Sequence, residues 1–287
     1  MTYHLGTIHK SDTENKVDFG EIISQEQRDN IIQAIAEIGN IDSNRRLFEL
    51  AFQNKNEFIE ALNKDSVEMV KSSLTIQGDR SIYDKYYMNF NRLFLNYISS
   101  IQTFIDHNET FIYRKFGNKS KEGIAFREYT SKCFDTHFPY RFFYKLRNYA
   151  VHCVLPLEEF NLSGERVGEN VRGSLKVEFK PTTLLNNFDG WGRILDNELK
   201  NMTENFSLIP LIDEMTKILL DFFMFINSLI ENTVKEAAMY IRKMTDHLRA
   251  DNVDVCIFSN ITKAVNGNKL NFQVKNIPFD IIDQLDL

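Results

Sequence analysis

The sequence predicts a mainly α-helical protein, and three observations predict it. Only 12 glycines and 5 prolines punctuate 287 residues, too few turn formers for a many-stranded sandwich or barrel. Long stretches repeat apolar side chains at helical spacing. Hydrophobic residues make up 43% of the chain and aromatic ones 13%, enough to fill a substantial core.

Taken in order, Thr2 to Gly20 is polar and weakly patterned and reads as extended chain. A first helix is expected over Gln25 to Ile38, where Ile31, Ile32, Ile35 and Ile38 share a face. Ser43 and Asn44 suit an N-cap for a second helix carrying Leu47, Leu50, Ala51, Phe58 and Leu62, broken near Gln53-Asn54. Residues 1–79 are thus expected to form an N-terminal helical appendage or the first layer of the core.

The strongest periodicity runs from about Ser81 to Phe116, with Phe90, Leu93, Phe94, Tyr97, Ile98, Ile101, Phe104 and Ile105 on a wide apolar face. After the polar break Gly117 to Lys121, helix is expected over Lys121 to Val154, kinked or divided at Pro139. Two antiparallel helices joined by a short turn follow from this pattern.

Residues 157–191 read as a β-hairpin insertion, because Ser174 to Lys180 alternates in strand fashion around a Ser-Gly and an Arg-Gly turn. Helical periodicity returns from Phe206 to about Leu248 and closes a main domain of residues 80–250. Residues 251–287 form a short C-terminal β/α extension with an Asn266-Gly267 turn.

Composition narrows the function. A net charge of −6 and a pI near 5.6 argue against a broad basic face coating nucleic acid, so any such contact is local. Cys133, Cys153 and Cys256 lack metal-ligand spacing and are too few for a disulfide framework, which fits a reducing cytoplasm. The first six residues show no secretory signal. The apolar stretch Ile218 to Ile230 is interrupted by Asp221 and Asn227 and falls short of the ~20 residues a bilayer crossing needs. No membrane association is expected. No Gly-rich phosphate loop ends in Lys-Ser/Thr, and no His-Glu-x2-His pattern occurs, so neither cofactor nor metal is expected.

The most informative segment is Arg147-Asn148-Tyr149-Ala150-Val151-His152, inside an acid-free run from Thr136 to Leu157. With Phe142 at zero on a wheel turning about 100° per residue, Leu146, Tyr149 and Cys153 fall within roughly 40° and form the buried stripe. Arg141, Lys145, Asn148 and His152 form a second stripe, polar and cationic. Arg147 stands about 140° from His152 on a straight helix. The two reach one substrate if Arg147 extends around the helix, if the helix loosens before Pro156, or if two copies meet across a dimer axis.

An arginine fork can bind phosphate oxygens and the added charge of a pentavalent transition state. A histidine can take the proton of a ribose 2′-hydroxyl or protonate the leaving 5′-oxygen. Asn148 can contact the phosphate or orient His152 from one turn away. Such a set would cleave RNA without a metal, leaving a 2′,3′-cyclic phosphate. The spacing alone is weak, since Arg242 and His247 repeat it among Glu236, Asp246 and Asp251. The acid-free surroundings single out the first copy.

At Arg147-Asn148-x3-His152, near the end of a helix preceded by an antiparallel one, the chain resembles the HEPN superfamily, whose signature is Arg-polar-x3-5-His. The segment Asn91 to His107 is similar to the preceding helix of bacterial HEPN-like proteins, and the resemblance covers about Ser81 to Pro156, roughly a quarter of the chain. It implies a helical bundle, a homodimer pairing two motifs in one cleft, and metal-independent endoribonuclease activity in anti-phage defence or a toxin–antitoxin system. RNA and an antitoxin or phage-derived trigger are the implied partners. Arg147, His152 and Asn148 are the implied catalytic residues; Arg141 and Lys145 are candidates for substrate binding. Family members use a further polar residue on the preceding helix, for which Asp106 or His107 is the candidate, beside a capping or solvent-facing role. The tyrosine that some relatives carry after the histidine is replaced here by Cys153-Val154-Leu155-Pro156. Two other readings use the same residues: a module that binds a nucleotide or RNA end without turnover, and a helical interaction protein.

Overall fold

Helices dominate, as composition and periodicity require: a computed structural model describes residues 2–12, 14–75, 80–168, 170–263 and 270–285, and eight α-helices lie among them. The chain divides into two compact units, residues 44–226 and residues 1–43 with 227–287. These boundaries differ from those expected at 80 and 250. Two long helices cause the difference, because α1 (Gln25–Thr75) and α7 (Leu208–Thr245) each supply residues to both units.

In the smaller unit, β1 (Tyr3–His9), β2 (Lys16–Ile23), β6 (Val253–Lys263) and β7 (Leu270–Asn276) form an antiparallel sheet in the order β2-β1-β6-β7. The weakly patterned N-terminus is therefore a hairpin whose first strand is central, with Leu5, Gly6 and Thr7 buried in succession. Its register slips between Leu5 and Thr7, where a side chain on Gly6 would meet Asp18 O at 2.2 Å. Phe19, Phe258 and Phe272 meet edge to face across the sheet. The short α8 (Phe279–Ile282) follows β7 and buries Ile282. The Asn266-Gly267 turn lies outside the described residues.

The larger unit holds the rest of α1, then α2 (Arg80–Phe116), α3 (Lys121–Thr136) and α4 (Phe138–His152). Ser43 and Asn44 do not start a helix; α1 runs unbroken through both, with Asn44 buried. Pro139 divides the next expected helix in two. It occupies the first turn of α4, where a missing N–H costs nothing, and His137 serves as C-cap of α3 and N-cap of α4.

The insertion is the expected hairpin, β3 (Glu159–Val167) on β4 (Asn170–Phe179), with β5 (Phe206–Ser207) added at the edge of β4. Its two inner glycines are not turn residues. Gly164 faces Gly173 in mid-ladder, where side chains would strike Val70 at 2.4 Å and Ser66 O at 2.5 Å. They let the hairpin lie against α1. Two short helices, α5 (Pro181–Asn187) and α6 (Arg193–Asn201), bury Leu184, Leu195 and Leu199. Among the described residues no helix is long and apolar enough to cross a membrane.

The cysteines differ in access. Cys133 and Cys256 are buried and Cys153 is exposed. Burial raises the Cys133 thiol, and burial with the charge of Asp254 pushes Cys256 up to about 11, so both stay protonated and unreactive at neutral pH. Alkylation of the native protein is expected to modify Cys153 alone, and mass spectrometry after denaturation should show all three adducts.

Candidate functional site

Helix α4 carries the Arg147-Asn148-x3-His152 segment, and its buried face fixes where that segment points. Phe142, Leu146 and Tyr149 are fully buried. Phe142 stacks on Trp191 at 6.0 Å and meets Phe179 and Phe206 edge to face; Tyr149 stacks on Trp191 at 5.5 Å. Trp191 in turn donates Nε1–H to Leu184 O at 3.0 Å. This face of the helix is held mainly through rings, which burial of large aromatic area makes strong. Cys153, expected in the same stripe, is exposed: it is the C-cap, and its φ of −121° and ψ of −85° turn the chain out of helical register.

The segment after the helix is clamped by Asn91 of α2. Its buried amide donates to Leu157 O at 2.9 Å and accepts from Leu157 N–H at 2.9 Å. The sequence signal for this clamp is a polar side chain beside Phe90, Leu93 and Phe94.

Arg147 and His152 are exposed and Asn148 is half-buried. Among the described residues none of the three side chains has a hydrogen-bond or ion-pair partner, and no bond joins Asn148 to His152. Helix α4 is regular through His152, so the loosening that would swing Arg147 toward His152 does not occur. Tyr144 and Val151, 40% and 59% exposed, lie opposite the buried stripe. Arg147 stands about 40° to one side of Val151, with Asn148 and His152 about 60° and 100° to the other. An apolar ridge thus separates the arginine from the histidine.

Arg141 is not available to a substrate. It is buried, 5% exposed, and both Nε and Nη2 donate to the carboxylate of Glu198 on α6, Nε to Oε2 at 2.7 Å. Nη1 donates to Phe134 O at 2.9 Å and Asp135 O at 3.4 Å, closing carbonyls at the end of α3. The stripe free of acids in sequence receives one in space. Lys145 is half-buried, with its ammonium 5.9 Å from the Tyr144 ring centre.

No hydrogen bond or ion pair joins Asp106 or His107 to Arg147, Asn148 or His152 among the described residues, and Asp106 lines a pocket with Tyr140 and Tyr144 of α4. Asp106 accepts from Gln102 Nε2 at 2.6 Å. His107 is exposed and has no partner among the described residues. The nearby glutamates, Glu158, Glu159 and Glu178, line a small pocket with Tyr149 and Lys180 on the buried side of α4, and Lys180 pairs with Glu159 at 2.9 Å. Burial raises the Tyr149 phenol above its ordinary value, against the lowering effect of the Asn187 amide.

Among the described residues no three His, Cys, Asp or Glu side chains come together as metal ligands. The second Arg-x4-His copy is tied up: Arg242 donates to Ile282 O at 3.3 Å and lies 3.5 Å from Asp283. The remaining site is of a definite class, a solvent-facing Arg/Asn/His set at the end of a ring-anchored helix. Comparison of the chain with models of protein families, with curated proteins and with solved structures finds no significant match.

Proposed function

We propose that this chain is a metal-independent endoribonuclease of the HEPN type whose site is completed by a second copy. The observation that carries the reading is the pairing state of α4: Arg147 and His152 face solvent with no protein partner among the described residues, beside an exposed Tyr144–Val151 ridge. A charged or protonatable side chain left unpaired on a rigid helix is suited to an external phosphate. The ridge supports the dimer. A two-fold axis along it puts Arg147 of one helix on the same side as His152 of the partner subunit.

Arg147 then binds the scissile phosphate and the charge it gains during 2′-hydroxyl attack, and His152 exchanges the protons of the 2′-hydroxyl and the leaving 5′-oxygen. Asn148, on the histidine side of the ridge, holds a phosphate oxygen. Arg141 and Asp106 take no part. Such chemistry suits growth control or defence in the cytoplasm, where RNA is the substrate.

Incubation of the purified protein with RNA in EDTA tests this. Cleavage leaving 2′,3′-cyclic phosphate ends is expected, and an Arg147→Ala/His152→Ala variant should leave the RNA whole. Intact RNA with folded, dimeric wild type would count against the nuclease; tight binding without cleavage would select a non-catalytic RNA-binding module.

A further inference from the structure

Strand β7 ends its sheet, and among the described residues nothing pairs with its outer side. Such an edge is a row of open N–H and C=O groups, a template for another chain, and proteins blunt it with charges, bulges or shortness. The other edges are blunted. β2 carries Lys16, Asp18 and Glu21 and its register slips, β3 carries Glu159 and Glu165, and β5 is two residues long. β7 has neither device: six of its seven residues are exposed, Lys275 is its one charge, and it holds no proline. The bulge in its ladder falls on β6, between Ser259 and Thr262, so β7 itself stays regular.

The backbone shows which groups lie open. Ile277 N–H donates to Val255 O at 2.9 Å, which makes these two a hydrogen-bonded pair in the antiparallel ladder. Alternation gives the same role to Lys275 with Ile257 and Gln273 with Ser259. The N–H and C=O of Phe272, Val274 and Asn276 therefore point away from β6. The side chains of Phe272 and Val274 share the sheet face that holds Phe258 and Phe19, and Val274 is 45% exposed. The apolar face thus runs out to the open edge and stops there.

The sequence of β7 fits a copy of itself. A two-fold axis through Gln273 sets Phe272 opposite Val274 of the second copy, an aromatic against a β-branched residue on one face, and both are residues whose backbone groups point outward. The same axis sets Lys275 opposite the neutral Asn271. The two lysines then stand about 13 Å apart, four residues at ~3.3 Å each, beyond a Debye length of about 8 Å. We infer that β7 pairs antiparallel with β7 of a second copy in this register, joining two four-stranded sheets into one. The contact is isologous and closes on itself. It is separate from the α4 ridge and does not rest on the nuclease reading.

Sedimentation of a Val151→Asp variant of the full-length protein tests the pairing, because that change removes the α4 contact and leaves β7 intact. A dimer is expected. Adding Val274→Pro should raise its dissociation constant at least about tenfold while the chain stays folded, since the lost N–H serves only the open edge; Val274→Lys should weaken it likewise. Asn271→Asp should tighten the dimer several-fold by facing Lys275, and Asn271→Lys should loosen it. In a Cys153→Ser background, Gln273→Cys should cross-link under mild oxidation, since the two residues on the axis form a non-hydrogen-bonded pair with Cα atoms about 4.5 Å apart. A Val151→Asp protein that is monomeric up to about 100 μM, or a dimer that neither change at Val274 weakens, would overturn the inference. A β7 dimer without the Gln273→Cys cross-link would overturn the register.

Discussion

Mixing Arg147→Ala protein with His152→Ala protein is expected to restore RNA cleavage that neither possesses alone. Each single variant should lose about 10²- to 10⁴-fold in turnover, the usual range for removing a general acid–base group or an anion-stabilising donor. If each site takes its arginine from one chain and its histidine from the other, a mixed dimer contains one site lacking both groups and one that is whole. Random exchange makes about half the dimers mixed, so activity should recover to about a quarter of wild type. Should the two residues instead act from one chain, every site in every dimer lacks a member and mixing recovers nothing. The regularity of α4 is what makes the first outcome the expected one: about 140° of helix and an exposed Tyr144–Val151 ridge separate the pair. Adding Val151→Asp should abolish the recovery by placing like charges at the axis.

What could be read from the chain divides along the range of the interactions. Helix α2 and the stripe Phe142–Leu146–Tyr149 were legible because burial repeats at helical spacing within the segment itself. The β3–β4 hairpin was legible for the same local reason, though the same local pattern suggests turns at its glycines. They serve close packing against α1, which only the fold can reveal. The N-terminal hairpin was not legible as such, since β1 is held centrally by β6, some 250 residues away, and such pairing leaves little trace in a weakly patterned strand. Ser43 and Asn44 show the converse error. Both residue types favour caps, but a capping preference of about 1 kcal/mol does not break a helix whose neighbours are buried. At the site, Asn148 and His152 are half-buried and exposed, as members of a polar stripe should be, and Arg147, off that stripe, is exposed too. The wheel offers Arg141 to a substrate because it sees only its own helix, whereas Glu198 arrives from 57 residues downstream.

Arg141→Ala should destabilise the larger unit strongly, and its reversal by a second substitution shows why. The guanidinium joins three elements: it leaves α4, binds Glu198 of α6 through two nitrogens, and closes the Phe134 and Asp135 carbonyls at the end of α3. Truncation leaves a carboxylate without its counter-ion and two carbonyls without their donor. Breaking a fully buried pair costs about 3–5 kcal/mol. The Glu198 side chain keeps 31% of its exposure, so water recovers part of the loss and about 2–4 kcal/mol is expected. Lysine at 141 should recover little, since a single ammonium cannot make the forked contact and reach α3 together. The paired change Arg141→Met/Glu198→Leu removes both charges and keeps apolar bulk, and should return stability to within about 1 kcal/mol of wild type in urea unfolding, less the carbonyl contacts. RNA cleavage by that folded double variant should then persist, because the guanidinium in question supports the helix that carries the site and never touches the phosphate. Loss of cleavage in a stable double variant would return Arg141 to the substrate.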